Sequence, residues 1–228
     1  MAERQRFLII MAGGTGKRMG YNIPKQFIEI QGRPVILHSI DRFLEFDKSL
    51  EIVVVLPASE FETWQKICTR HNVGFKHKIV EGGDERFYSV KNGIKATGLD
   101  SVIAIHDSVR PLVSLKTISD CFDMAERKGT AVPVIKLSES VRKEEGSGRN
   151  RPLDRESIRL VQTPQVFRGD ILHLAYDCGF SPYFTDDATV VERLGEKINL
   201  VEGNRENIKI TSPLDLKIAE CLLEAGKS

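Results

Sequence analysis

At 228 residues and 41% hydrophobic content, the chain can bury a full core and is expected to form one α/β domain spanning residues 1–228. Its 33 basic and 32 acidic side chains leave a formal net charge of +1, so no global field recruits nucleic acid or an anionic membrane, and any anion site must be local. The cysteines at 68, 121, 178 and 221 lack CxxC or metal-finger spacing, each falls in a helix-like stretch, and no secretory signal or long apolar span is evident. A soluble cytoplasmic protein with reduced thiols is expected.

Strand-like runs are predicted at Phe7–Ala12, Ile52–Leu56, His77–Val80, Val102–His106, Thr130–Val134 and Asn199–Val201. Helical periodicity separates them at Val35–Phe46, Ser59–His71, Arg86–Ala96 and Leu115–Lys128, and Pro213–Leu223 closes the chain likewise. This βαβ rhythm predicts a mostly parallel twisted sheet with helices on both faces. One stretch breaks it. Residues 142–155 are charged, glycine-centred and poor in apolar side chains. They form either a disordered surface loop or a protruding hairpin turning near Gly146–Gly148, with Glu139–Arg142 and Ile158–Gln162 as its strands. A projecting arm of both charge signs, at about 137–162, would suit docking on a second subunit, so a homodimer is expected.

The first strand ends in Ala12-Gly13-Gly14-Thr15-Gly16-Lys17-Arg18, followed by Pro24-Lys25-Gln26-Phe27. Glycines there permit positive φ and close ligand approach to the backbone amides, and Arg18 and Lys25 add fixed cations. A Walker loop would need glycine where Met11 stands and Ser or Thr where Arg18 stands. A dinucleotide fingerprint from Gly14 fails at Met19, and the next strand ends on Pro57 rather than an acid. What remains is a glycine loop whose cations act on a phosphoryl group, or a tight turn with a solvated basic rim.

Other chemistry-bearing segments fall at strand ends, where open α/β sheets bind ligands. Gly82-Gly83-Asp84, with Ser89 one turn into the next helix, could hold a base or ribose; the plain alternative makes Asp84 an N-cap. His106-Asp107-Ser108-Val109-Arg110 ends an apolar strand, and a carboxylate there beside a triphosphate suits Mg²⁺. Arg110 could pair with Asp107 or clamp a substrate phosphate, and His106 reads as structural. Asp186 or Asp187 reads as a helix N-cap. Lys209, between Ile208 and Ile210, reads as the outward residue of a short strand.

The ordered set AGGTGKRMG, PKQF, EGGDER, HDSVRP, LDR, QTPQ, FTDDA and NIKIT spans nearly the whole chain and resembles the 2-C-methyl-D-erythritol 4-phosphate cytidylyltransferase family. The resemblance implies a Rossmann-like nucleotidyltransferase fold, a homodimer formed through an extended β-arm, and use of CTP with Mg²⁺ or another divalent cation. The implied reaction joins CMP to the acceptor 4-phosphate and releases pyrophosphate. By motif, Arg18, Lys25 and Lys209 would act on the nucleotide phosphates, and Asp107 would bind the metal. Ala12, Gly13, Gly14, Thr15, Gly16, Gly82, Gly83, Asp84 and Ser89 would receive the nucleotide. Arg110, Ser140, Arg155, Thr163 and Thr185, with Asp107, would meet the acceptor, with Ser140 and Arg155 reaching across to the partner. Ser108-Val109 and Ser140 depart from the family pattern, and Ser108 also resembles the ribitol 5-phosphate cytidylyltransferases, the alternative reading. A non-catalytic nucleotide-binding protein is a third; the presence of Asp107 with both loop cations counts against it. An attacking phosphate is already ionised at neutral pH, which fits the lack of Ser-His-Asp or Cys-His machinery.

Overall fold

The computed structural model describes residues 4–14 and 23–225. The first elements, in chain order, are β1 (Gln5–Met11), a short ribbon absent from the predicted elements, β2 (Glu29–Ile30) and β3 (Arg33–Pro34), then α1 (Val35–Phe46), β4 (Glu51–Leu56), α2 (Phe61–Arg70), β5 (His77–Glu81), α3 (Arg86–Ile94), β6 (Ser101–Asp107), α4 (Leu115–Lys128) and β7 (Thr130–Lys136). Then follow β8 (Val141–Glu144), β9 (Asn150–Leu153), β10 (Arg159–Val161), β11 (Gln165–Arg168), α5 (Gly169–Ala175), α6 (Asp187–Glu192), β12 (Leu200–Glu202) and α7 (Pro213–Ala225).

Strands β6, β1, β4 and β5 lie side by side and parallel, with β1 at the centre of this group. Their registers align Met11 with Asp107 and with Val55, so the carboxyl ends of β1, β4 and β6 meet at one edge. Alternation sorts their side chains to two faces. Leu8, Ile10, Ile52, Val54, Val102 and Ala104 pack with α1, α2 and α4 on one side. Phe7, Ile9, Val53, Val55, Ile103 and Ile105 pack with α3, α5 and α6 on the other. A smaller cluster of Ile28, Val35, Val109, Ile210 and Ala219 ties α7 and the β2–β3 ribbon to the carboxyl edge.

Two differences from the predicted elements matter for function. The first is β11, which the sequence reading leaves out: it inserts antiparallel beside β6, pairing Gln165 with Ile105, and also meets β7. The second is the arm. It is a hairpin with its turn at Gly146, Ser147 and Gly148, all at positive φ, as the glycines there allow. Its strands are β8 and β9, pairing Val141 with Leu153 and Glu144 with Asn150. Residues Ile158–Gln162 are therefore not arm strand; Arg159–Val161 pairs antiparallel with β7 in the main sheet. Leu160 and Val161 are apolar enough to join a sheet edge and too short to build a separate ribbon. Cys178 falls in a turn beyond α5 rather than in a helix, and all four cysteines are free thiols. Among the described residues no helix is long and apolar enough to cross a membrane.

Candidate active site

The carboxyl edge holds a cleft with two lobes that share Arg86, Asp107 and Lys209. The first lobe opens between the end of β1 and the turn before α3, and takes in Gly13, Gly14, Lys25, Gly83, Asp84 and Ser89. The second lies toward the Gln162–Gln165 segment and takes in Arg110, Thr163 and Thr185. Residues scattered from 13 to 209 thus face one space.

Local packing explains the first lobe. Gly83 is folded against the start of α3, where an added Cβ would stand 2.5 Å from Tyr88 Cβ, a distance no side chain tolerates. Its amide donates to Ser89 Oγ at 3.0 Å, and the hydroxyl in turn reaches the Gly83 carbonyl at 3.2 Å. Asp84 is exposed and is not the helix cap; Glu85 takes that position without a side-chain bond. Gly13 and Gly14 line the lobe without using positive φ, so their value there is a small, open approach to backbone amides. Buried Gln26 donates to the Ala12 carbonyl at 2.8 Å, fixing the Lys25 turn against the end of β1. Lys25 Nζ donates to the Ile210 carbonyl at 3.1 Å. Thr15, Gly16, Lys17 and Arg18 lie outside the described residues.

At the junction, Asp107 is almost fully buried, and its Oδ2 accepts from Arg110 Nε at 3.1 Å and lies 3.1 Å from Lys209 Nζ. Burial alone would raise its pKa, but the charges of Lys209, Arg110 and Arg86 outweigh it and hold the carboxyl well below its ordinary range. Lys209 is not in a strand; it sits in an irregular segment held by a bond from Ile210 N to the Val109 carbonyl at 3.0 Å. Just before it, buried Asn207 ties the chain to its neighbours: its side-chain amide donates to the Thr163 carbonyl at 2.8 Å and its backbone carbonyl accepts from Arg110 Nη1 at 2.7 Å.

His106 is wholly buried and supports this edge from behind. Its Nε2 contacts the Arg110 carbonyl at 3.0 Å, and a carbonyl can only accept, so Nε2 carries the hydrogen. Nδ1 then accepts from Thr163 Oγ1 at 3.0 Å, and the same oxygen accepts from Asp107 N at 3.1 Å. Burial lowers the His106 pKa to about 4, so the ring is neutral and acts as a fixed strut.

Sequence reasoning missed Arg86. Its guanidinium forks onto Asp187 through two bonds of 2.6 Å, and Tyr176 donates to the same carboxylate at 2.6 Å. Asp187 is fully buried, whereas Asp186 caps α6 by accepting from Thr189 N at 3.0 Å, completing a capping box. Two adjacent acids thus do different work, and only the capping role has a local sequence signature. Ser140 and Arg155 are exposed at the base of the arm, Arg155 donating to the Ser138 carbonyl at 2.8 Å, and neither reaches this cleft.

The family model for 2-C-methyl-D-erythritol 4-phosphate cytidylyltransferase matches residues 7–225. The chain belongs to that family. A relative of that name from Bacteroides fragilis is 47% identical over 218 residues, covering 96% of this chain and 99% of the relative. One from Geobacillus kaustophilus is 33% identical across 94% and 95% of the two chains. Among solved structures, the Thermus thermophilus 2-C-methyl-D-erythritol 4-phosphate cytidylyltransferase superposes with a TM-score of 0.77 at 30% identity, covering 97% and 99% of the chains. The Anaerococcus prevotii 4-diphosphocytidyl-2C-methyl-D-erythritol synthase gives 0.83 at 25% identity, covering 97% and 96%. The fold is thus that of the family, an α/β nucleotidyltransferase built on a mostly parallel sheet.

Proposed function

We propose that the chain transfers CMP from CTP to 2-C-methyl-D-erythritol 4-phosphate, releasing pyrophosphate, as a step in isoprenoid precursor synthesis. The observation that carries this reading is the two-lobed cleft with cations at its junction, in a chain that matches a cytidylyltransferase family from residue 7 to residue 225. One lobe receives the nucleotide, the other the polyol phosphate. A phosphate oxygen of the acceptor attacks the α-phosphorus, that new P–O bond forms, and the bond to the leaving pyrophosphate breaks.

Nucleophile, reaction centre and leaving group are all anionic, so catalysis consists of alignment and positive charge. Lys25 and Arg18 stabilise the α-phosphate as charge builds on it, and Lys209 holds the nucleotide phosphates or the acceptor at the junction. The glycines of the first lobe and Ser89 receive base and ribose, and Arg110, Thr163 and Thr185 receive the acceptor.

Asp107 is a fitting ligand for Mg²⁺ or another divalent cation. It is ionised, it sits where the lobes meet, and its Oδ1 has no protein partner among the described residues. No group of three or more His, Cys, Asp or Glu side chains forms a metal cage among those residues, which suits an ion held by one carboxylate together with phosphate oxygens and water. When bound, the cation neutralises phosphate charge.

The working unit is a homodimer of single-domain subunits in the cytoplasm. The exposed arm, the outward placement of Ser140 and Arg155, and exposed Leu160, Val161 and Leu200 at its base support a second copy packing there. The deciding experiment is pyrophosphate release from CTP, Mg²⁺ and 2-C-methyl-D-erythritol 4-phosphate, with ribitol 5-phosphate as the competing acceptor. Release with the first acceptor is expected; turnover with ribitol 5-phosphate alone would overturn the acceptor assignment.

A further inference from the structure

Of the cations described in the cleft, Arg86 has no role in the reaction as set out above, and its surroundings are the most elaborately built. Its guanidinium lines both lobes, with the side chain 36% exposed, while the Asp187 carboxylate behind it is 0% exposed. Nη1 and Nη2 each spend one hydrogen on an Asp187 oxygen. The guanidinium carries five N–H donors, so three have no acceptor among the described residues. Asp187 is aimed rather than merely paired. Its Oδ1 also accepts from Tyr176, whose hydroxyl is kept protonated by burial beside that negative charge. Tyr176 is in turn stacked on Phe87 at a centroid distance of 4.9 Å, and Phe87 follows Arg86 in α3. The ion pair therefore clamps the start of α3 to the start of α6 across 101 residues, and each helix start borders the cleft.

A plain structural clamp would need no exposed guanidinium. A lysine would satisfy Asp187 with one bond, whereas a fork held from behind presents its remaining donors in a fixed plane, the geometry that suits phosphate oxygens. Among the described residues the two lobes are lined by Lys25, Arg86, Arg110 and Lys209 and by the carboxylates of Asp84, Glu85, Asp107 and Asp186, so recognition of an anion here depends on where free donors such as those of Arg86 stand and not on surplus charge.

We infer that Arg86 contacts a substrate phosphate where the two lobes meet, and that Asp187, steadied by Tyr176, is the positioning residue that aims it. This rests on the cytidylyl-transfer reading of the cleft and adds to it a phosphate contact with a dedicated support.

The test compares wild type with Arg86→Lys, Arg86→Gln, Asp187→Asn, Tyr176→Phe and the Arg86→Gln/Asp187→Asn double variant. Readouts are thermal unfolding, kcat, KM for each substrate, and calorimetric binding of CTP and of the polyol phosphate to the whole chain. Arg86→Lys should fold normally and lose at least about tenfold in kcat/KM, because charge without the fork is insufficient. If the loss falls on KM for the polyol phosphate, the contact is to the acceptor; if it falls on KM for CTP or on kcat, the contact is to the nucleotide. Asp187→Asn should change the same parameter, and the double variant should be no worse than Arg86→Gln alone, since one residue acts through the other. Tyr176→Phe should give a smaller change of the same kind. Folded Arg86→Lys protein with kcat/KM and both binding constants within twofold of wild type overturns the inference while leaving the activity standing. Should wild type make no product with any polyol phosphate, the activity reading falls, and calorimetry still judges Arg86: undiminished binding of both ligands by Arg86→Lys overturns its phosphate role.

Discussion

Two arginine–carboxylate pairs in this protein have the same closest distance, 2.6 Å, and opposite circumstances. Arg86–Asp187 joins two helix starts behind the cleft, with the carboxylate fully buried; Arg151–Glu145 lies along the arm with side chains 53% and 42% exposed. Distance therefore says little about what either contributes. In water, the arm pair exchanges one solvated state for another, and exposed pairs of this kind contribute about 0–1 kcal/mol. Behind the cleft, Asp187 has no water to return to, so loss of its partner strands a charge. The same contrast runs through both regions: cleft groups are held by several bonds from distant segments, whereas the arm's charges pair within the arm.

The largest expected effect that would sharpen this contrast is on stability. Arg86→Ala, which strands the Asp187 carboxylate, should cost about 3–5 kcal/mol in urea unfolding, the range for breaking a buried pair by removing one partner. A loss under about 1 kcal/mol would mean the pair is solvated after all. Next, Lys25→Ala should leave unfolding nearly unchanged and lower kcat by about 10²–10³, the effect of removing one preorganised electrostatic donor. Turnover near wild type would remove Lys25 from the catalytic set.

A third prediction concerns pH. His106 titrates near 6.5 when unfolded and at about 4 in the folded protein, so between those values the unfolded chain binds a proton that the native state does not. Stability should therefore fall as pH drops from about 6.5 toward 4, by up to about 3 kcal/mol from this group alone. Denaturant unfolding at pH 7 and pH 5 checks it; the difference should shrink in His106→Gln, and an equal slope in both proteins would contradict a neutral buried ring. The smallest effect belongs to the arm. Arg151→Ala should change unfolding by no more than about 0.5–1 kcal/mol, and a larger loss in a concentration-dependent transition would place the pair in a subunit contact.

The same division governs what the sequence reveals. Helices α1 and α4 fall on the residues that periodicity predicts, Val35–Phe46 and Leu115–Lys128, because each must bury one continuous stripe against the sheet. Strands β4 and β6 are found within one residue of their predicted ends and β1 within two, for the same reason. By contrast, β11 is four residues long and follows a proline, so its short apolar run carries no usable period. Arg86 and Asp187 are invisible as a pair because nothing local links residues 101 apart. Lys209 was expected to alternate in a strand, but long-range bonds by Asn207 and Ile210 decide its segment, and local pattern cannot encode them. Asp186 shows the opposite case: its capping role was legible because the partner, Thr189, is three residues away.

The bond from Lys25 to the Ile210 carbonyl spans 185 residues, and Lys209 comes almost at the end of the part of the chain that forms the cleft. A growing polypeptide can lay down β1, β4 and β6 and most of both hydrophobic layers while the cleft still lacks its last cation and the carbonyl that steadies Lys25. The cleft is thus completed only when translation has delivered residue 210, after most of the sheet and its two hydrophobic layers have been synthesised.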